Sequence, residues 1–360
     1  MKILSFVGAR PQFIKEAVIH EQLKQREVKE ILVHSGQHYD FNMSDIFFKV
    51  LNIRKPDYNL NVGSGTHAYQ TGKMMMELEK IVLKEKPDMI LVYGDTNSTL
   101  AGALVGAKLK IPVAHIEAGI RQRPKDMPEE INRVLTDRIS RYLFCPSNLA
   151  VENLKREGIY EGVYFVGDVM YDLFLKISKI LNNDESVLNK YSLKSKGYIL
   201  ITVHRDFNTD DPKRLRDILE AFDYLSKSFE LVFPIHPRTR KRIKEFGFSS
   251  FLKNIKVLDP IGYDEMILLT RNSIKVITDS GGLQKEAYFA KVPAIILMED
   301  TGWLELVDIG WNVLVDADRE KIVDSVLNHN PDLSKVDSKV YGDGKAGEKI
   351  VEILLEDNKG

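Results

Sequence analysis

Lys275-Val276-Ile277-Thr278-Asp279-Ser280-Gly281-Gly282-Leu283-Gln284-Lys285-Glu286-Ala287 runs from a short β-branched stretch, through two glycines, into a helix-forming segment. A strand that ends on Asp-Ser-Gly-Gly and turns at once into a helix lets the backbone approach a ligand without Cβ interference. The free N–H groups at the helix start, with the positive end of its dipole, then make an anion site suited to a diphosphate. The same residues also read as a strand–helix turn with an Asp/Ser cap. The rest of the chain decides between the two.

Outward from this stretch, short apolar runs alternate with helical patterns. Lys2–Val7, Glu30–His34, Met89–Tyr93, Val113–Ile116, Tyr142–Cys145 and Gly162–Val166 read as one series of strands. A second series follows at Tyr198–Val203, Glu230–Pro234, Ile255–Leu258, Lys275–Thr278, Ala294–Leu297 and Asn312–Val315. Strands separated by helices are the signature of a parallel sheet, and two series predict two Rossmann-like, doubly wound α/β domains. At 360 residues the chain exceeds one ordinary core, in agreement with this division. The expected domains are 1–168 and 169–342, joined near the polar stretch Asn182-Asn183-Asp184-Glu185-Ser186, with a terminal helix at 343–360 packing back on the first.

Composition narrows the partner. Lys and Arg number 51 against 52 Asp and Glu, a net charge of -1, and no basic stretch alternates with aromatics, so neither nucleic acid nor an anionic membrane is expected to bind. One cysteine, Cys145, excludes an internal disulfide framework. The amino-terminal run is too short for a signal peptide, and no apolar run reaches the roughly 18 residues of a membrane helix. A cytoplasmic protein with a small-molecule partner is the expectation.

In open α/β sheets ligands bind beyond the carboxyl ends of the strands, and here those ends are polar. Gly8-Ala9-Arg10-Pro11-Gln12-Phe13-Ile14-Lys15 follows the first strand, with Arg10 and Lys15 suited to a phosphate or to a closing contact. Asp95 ends the third strand, Glu117 the fourth, and Met127-Pro128-Glu129-Glu130-Ile131-Asn132-Arg133 opens a helix whose Ile131, Val134, Leu135 and Ile139, with Tyr142, form an expected buried stripe. Three acids, Asp95, Glu117 and Glu129, on one rim raise one another's pKa and can supply both proton donor and acceptor. His204, followed by Arg205, and His236 occupy matching strand ends in the second half and suit general-acid or leaving-group contacts. His34 and His38 are four apart but at a strand end, so no metal is expected. Gly63-Ser64-Gly65-Thr66-His67-Ala68 matches a dinucleotide fingerprint, yet it lacks a buried strand before it and an acid about 20 residues on, so no nicotinamide cofactor is expected. The Met74-Met75-Met76 run reads as core filling on an amphipathic helix.

With these residues in view, the chain resembles the non-hydrolysing UDP-N-acetylglucosamine 2-epimerases. The likeness runs through Gly8-Ala9-Arg10-Pro11 to Lys15, Gly36-Gln37-His38, Gly94-Asp95-Thr96, His115-Ile116-Glu117-Ala118-Gly119 and Pro128-Glu129-Glu130 with Asn132-Arg133. It continues through Thr202 with His204-Arg205, and Asp279-Ser280-Gly281-Gly282 with Gln284 and Glu286. The resemblance implies a GT-B-like pair of Rossmann-type domains facing across a cleft, a homodimer, a UDP-sugar substrate and no cofactor. It implies proton transfer by Asp95, Glu117 and Glu129, with His204 steadying the leaving diphosphate. Arg10, Lys15, Ser280, Gly281, Gly282 and Glu286 would hold the nucleotide, Glu286 through the ribose hydroxyls, and Arg205 and His236 complete the substrate-binding set. The implied activity interconverts UDP-GlcNAc and UDP-ManNAc by eliminating UDP to a glycal and adding it back.

Two departures stand out. Asp300-Thr301-Gly302-Trp303-Leu304-Glu305 replaces the Thr-Glu-Arg-Pro-Glu of many bacterial members, so an expected nucleotide-contacting Arg is absent. Tyr39 to Asp45 lacks the glutamines with which some relatives bind an activating second UDP-GlcNAc. The alternatives are an epimerase of a related UDP-diacetamido-uronic acid, a GT-B glycosyltransferase and a non-catalytic sugar-nucleotide sensor.

Overall fold

The structure is a computed structural model that describes residues 1–36, 54–182, 184–332 and 340–356, with Arg10 described by its backbone alone. The Gln37-His38 part of the second motif and the segment Tyr39 to Asp45 lie outside the described residues. The chain divides into two compact units, Met1–Lys176 with Ser338–Gly360, and Ile177–Asp337.

The first unit carries a seven-stranded parallel sheet: β1 (Lys2–Val7), β2 (Lys29–His34), β3 (Tyr58–Asn59), β4 (Met89–Tyr93), β5 (Val113–Ile116), β6 (Tyr142–Cys145) and β7 (Val163–Phe165), in spatial order β3-β2-β1-β4-β5-β6-β7. The central strands are continuous apolar runs because helices cover both faces, which removes the alternation of a half-exposed strand. The helices are α1 (Arg10–Gln25), α2 (His67–Glu85), α3 (Asn97–Lys108), α4 (Pro128–Ile139), α5 (Asn148–Arg156) and α6 (Val169–Ile180), the last running on into the second unit's first residues.

The second unit repeats the plan with six parallel strands: β8 (Tyr198–Thr202), β9 (Glu230–Pro234), β10 (Lys256–Leu258), β11 (Lys275–Thr278), β12 (Ala294–Ile296) and β13 (Asn312–Leu314), in order β10-β9-β8-β11-β12-β13. Its helices are α7 (Ser186–Lys190), α8 (Asp206–Thr209), α9 (Pro212–Leu225), α10 (Pro237–Glu245), α11 (Tyr263–Asn272), α12 (Gly281–Phe289), α13 (Leu304–Asp308) and α14 (Arg319–Asn328). Ile201, Phe222, Phe233, Ile277 and Ile295 are among its buried core residues.

Both sheets therefore have the doubly wound order, and in each the direction of winding reverses at one place, between β1 and β4 and between β8 and β11. A crevice opens at such a reversal, and it positions the site. All twelve expected strands are present with ends moved by at most two residues. The thirteenth, β3, is a two-residue edge pairing with β2 that an unremarkable polar stretch could not announce.

The terminal helix α15 (Ala346–Glu356) packs on α1. A Cβ on Gly347 would meet Val18 at 3.1 Å, Ile350 and Leu354 are fully buried, and Arg26 pairs with Glu352. The backbone N–H groups of Ala346 and Gly347, two of the donors that a helix start leaves unpaired, donate to the Asp172 carboxylate at 3.0 and 2.8 Å.

Two expectations fail. The Met74-Met75-Met76 run cannot all be core, since a period of 3.6 residues turns only one face inward: Met74 is buried and Met76 exposed. More consequentially, α4 is inverted. Ile131 and Leu135 of the expected buried stripe are 46% and 47% exposed, while Glu130, Asn132, Arg133, Thr136 and Asp137 face inward. A polar side chain can be buried where it finds a partner, and here Asp95, His115 and Gly119, on or just after strands, supply partners for Asn132, Arg133 and Asp137.

Candidate active site

In the first unit the site forms where β1, β4 and β5 end. Gly94 turns the chain after β4 at φ 63°, and a Cβ there would lie 3.7 Å from Lys15 Nζ and 3.8 Å from Glu117 Oε1. Lys15, nearly buried on α1, donates to Glu117 Oε2 at 2.6 Å. Glu117 itself adopts φ 74°, a left-handed conformation that costs a non-glycine residue roughly 1–2 kcal/mol. Hydrogen bonds from the N–H groups of Glu117 and Ala118 to Phe144 O hold the turn, so the strained backbone aims a carboxylate at the strand ends.

Asp95, next after Gly94, pairs with the Arg133 guanidinium, which also donates to Glu130 Oε2 at 2.8 Å. Asn132 Nδ2 donates to Asp95 O at 2.9 Å. Burial works against the Arg133 charge, but Asp95 and Glu130 outweigh it and raise its pKa. These bonds fasten the first turn of α4 to the end of β4. Glu129 sits half-buried in that same turn. The inward polar face of α4 is what makes this junction.

Three further residues complete the rim without having been assigned a role from sequence. Gln12 is buried; its Oε1 accepts from Gly8 N and Ala9 N at 2.7 and 2.9 Å, and its Nε2 donates to Tyr93 O and Thr96 Oγ1 at 2.6 and 2.9 Å. One amide thus ties the β1 turn to the β4 turn. His115, fully buried on β5, places Nδ1 2.6 Å from Asp137 Oδ1 and Nε2 2.7 Å from Gly94 O. Asp137 accepts from Gly119 N at 3.1 Å and from Arg121 at 2.7 Å. Burial pushes the Asp137 carboxyl up, yet His115 and Arg121 beside it outweigh that and hold it below its usual value. Gly119 has φ 79° and a Cβ would strike Ala150 O at 2.3 Å, so only glycine fits. A histidine inside an apolar strand was the visible signal; its partner 22 residues later was not.

In the second unit the corresponding reversal carries the Ser280 loop. Thr202 and Thr278, paired across β8 and β11, share a hydroxyl hydrogen bond of 2.6 Å. Ser280 caps α12, its Oγ accepting from Leu283 N at 3.4 Å. Asp279 is wholly buried and accepts from His204 N and Arg205 N, each at 3.0 Å, and from Asn208 Nδ2 at 3.2 Å. It is the post on which the His204 turn hangs, a role the motif did not reveal.

His204 Nδ1 lies 3.2 Å from Asp279 Oδ1. Burial lowers its pKa despite Asp279, with Arg205 and His236 adding to the depression. His236 caps α10, its Nδ1 accepting from Arg238 N at 3.2 Å, and its ring centre is 6.0 Å from that of His204. Around them opens a groove lined by Thr202, His204, Ile235, His236, Ile261 and Ser280. A Cβ on Gly281 would lie 3.7 Å from Trp303 Nε1 and 3.8 Å from an Arg205 Nη, which puts an indole N–H and a guanidinium beside the start of α12. Lys285 stacks over the Trp303 ring at 3.7 Å. Gly282 is exposed, and Glu286 lies nearly buried a turn further along the same helix. Of the remaining predicted residues, Arg10 occupies the first position of α1.

A family model described as UDP-N-acetylglucosamine 2-epimerase matches residues 21–355. The chain is 50% identical over 358 residues to a Methanococcus maripaludis protein named UDP-N-acetylglucosamine 2-epimerase homolog, covering 98% of this chain and 99% of that one. It is 48% identical over 361 residues to the UDP-2,3-diacetamido-2,3-dideoxy-D-glucuronate 2-epimerase of Pseudomonas aeruginosa, covering 99% and 100%. A crystal structure of Methanocaldococcus jannaschii UDP-GlcNAc 2-epimerase in complex with UDP-GlcNAc and UDP superimposes with a TM-score of 0.88 at 45% identity, covering 99% of this chain and all of that one. The chain belongs to the UDP-N-acetylglucosamine 2-epimerase family.

Proposed function

We propose that the protein interconverts UDP-GlcNAc and UDP-ManNAc by inverting C2 of the sugar. One observation carries the reading: a rim built by Lys15, Asp95, Glu117 and the first turn of α4 puts carboxylates at the winding reversal of one unit, while the matching reversal of the other carries a capped, glycine-opened helix start. A transfer to an acceptor would need only the second of these.

The C2 hydrogen of the substrate is not acidic, so its removal must be coupled to breaking the C1–O bond. A carboxylate takes the proton from C2, the electron pair forms the C1–C2 double bond, and UDP leaves with the C1–O electrons. Re-addition of UDP to the glycal, with a proton delivered to the opposite face of C2, gives the epimer. Asp95, Glu117 and Glu129 are the groups for the two proton transfers, a task worth typically 10²–10⁴-fold each. The start of α12, with Ser280, Gly281, Gly282 and Arg205, stabilises the departing diphosphate, and His204 adds to that stabilisation. Lys15 holds Glu117 in place, Arg10 and His236 contribute to nucleotide binding, and Glu286 takes the ribose hydroxyls. None of these steps consumes a cofactor.

The test is incubation with UDP-GlcNAc in D2O without acceptor, followed by NMR. Deuterium at C2 and appearance of UDP-ManNAc are the expected results; unchanged substrate with saturable binding would overturn the reading. The 48% identity to a diacetamido-glucuronate epimerase favours a second reading, the same inversion on a 2,3-diacetamido uronic acid nucleotide. Parallel assays on the two nucleotides decide between them by kcat/KM.

A homodimer completes the proposal. Ile131 and Leu135 on α4 and Tyr69, Met76 and Leu83 on α2 are exposed, and these two helices flank α3. Large apolar side chains clustered on one face suit a second copy of the chain.

A further inference from the structure

A second constellation lies in the middle of α1 and involves none of the rim's carboxylates. Glu16 and His20 are four residues apart on α1 and therefore on one face, and Glu30 of β2 reaches the same point. His20 Nδ1 is 2.6 Å from Glu30 Oε2, and one donor atom from each of the three residues lies within 4.8 Å of the others. Glu16 is 1% exposed; its carboxyl is hydrogen-bonded to that of Glu30, while its Oε1 is buried with no partner among the described residues. An unpartnered buried carboxylate oxygen is costly, and a cation is one of the few groups that satisfies it.

The surrounding charge does not cancel this acidity. Arg54 Nη2 approaches Glu30 Oε2 at 3.5 Å, but Arg54 also pairs with Asp57 at 2.8 Å, so one guanidinium is shared between two carboxylates. Ser5 Oγ donates to the other oxygen of Glu30 and orients it, as a supporting hydrogen bond does for a liganding carboxylate. His20 is partly exposed and provides the way in.

We propose that Glu16, His20 and Glu30 form a binding site for a divalent transition metal of the zinc class. An imidazole with two carboxylates is a donor set that Zn²⁺, Co²⁺ and Mn²⁺ accept. A tetrahedral ion with bonds of about 2.1 Å spaces its donor atoms about 3.4 Å apart, so the three groups already stand near their places. The site is distinct from the rim that handles substrate, and it ties α1 to β2.

The test titrates the full chain with Co²⁺, following d–d absorption, with Zn²⁺ as competitor. Wild type is expected to bind one ion here with a visible spectrum that Zn²⁺ erases. His20→Asn, a change at a partly exposed position, should weaken binding at least tenfold, while His204→Asn should keep this site. Zn²⁺ should raise the melting temperature of wild type and not of His20→Asn. Identical titrations of wild type and His20→Asn would overturn the proposal, as would a zinc-soaked crystal with no anomalous peak between Glu16, His20 and Glu30.

Discussion

Lys15 Nζ stands 2.6 Å from Glu117 Oε2, an ion pair between the first helix and the end of β5 with both side chains nearly buried. Buried ion pairs rarely stabilise a fold more than apolar residues would, so a pair in this position points to function. Glu117→Gln should lower kcat for UDP-GlcNAc epimerisation by about 10²–10⁴ while UDP affinity, measured by calorimetry, changes little. Turnover within twofold of wild type would remove Glu117 from the mechanism.

Asp137 anchors His115, Gly119 and Arg121 from a fully buried position. Asp137→Ala leaves Arg121 and His115 without their partner and should cost about 3–5 kcal/mol in urea unfolding. The folded-state pKa is lowered, so this stabilisation is present above the ordinary value near 3.8 and is lost as pH falls through the lower folded value. Asp137→Asn should flatten that acid limb of the stability profile.

Ser280 and Asp279 divide the work of the second unit's turn. Ser280→Ala removes a helix cap and should cost about 1 kcal/mol in stability. Asp279→Asn sets an amide against the N–H groups of His204 and Arg205, and UDP should bind at least about tenfold more weakly. Equal UDP affinity in Asp279→Asn and wild type would dissociate the His204 turn from nucleotide binding.

The exposed apolar face of α4 should report on assembly. Ile131→Asp combined with Leu135→Asp is expected to convert a dimer into a monomer in light scattering, with helix content unchanged by circular dichroism. A wild-type protein that scatters as a monomer at micromolar concentration contradicts the assignment of this face.

Asp172 should make the docking of α15 sensitive to pH. Burial, with Asp168 and Asp343 nearby, raises its carboxyl to about 6 against the lowering by the Gly347 and Ala346 N–H groups. Because the folded value lies above the unfolded one, the contribution is full below about pH 4 and is lost as pH rises through about 6, on the order of 3 kcal/mol. Amides of residues 346–356 should exchange more slowly at pH 5 than at pH 8 after correction for intrinsic rates. Equal protection at both values would show that the carboxyl does not titrate with the docked helix.

Strand positions and the doubly wound class could be read from the chain alone. Each strand is a short apolar run closed by polar or glycine residues, and in a parallel sheet the residue after a strand is where a ligand can lie. The role of α4 could not be read that way. Periodicity assigns Ile131 and Leu135 inward because it assumes that apolar side chains seek the core, yet Asn132, Arg133 and Asp137 hold the inner face by binding Asp95, Gly119 and His115. Such partnerships join residues 18 to 38 positions apart, and no local pattern encodes them. The same limit hid Asp279 beneath His204, and it hid Glu30 beside Glu16 and His20. Residue types and their order determined which elements form and which chemistry they carry; only the folded chain decided which polar groups meet, because that depends on how strands and helices are brought side by side.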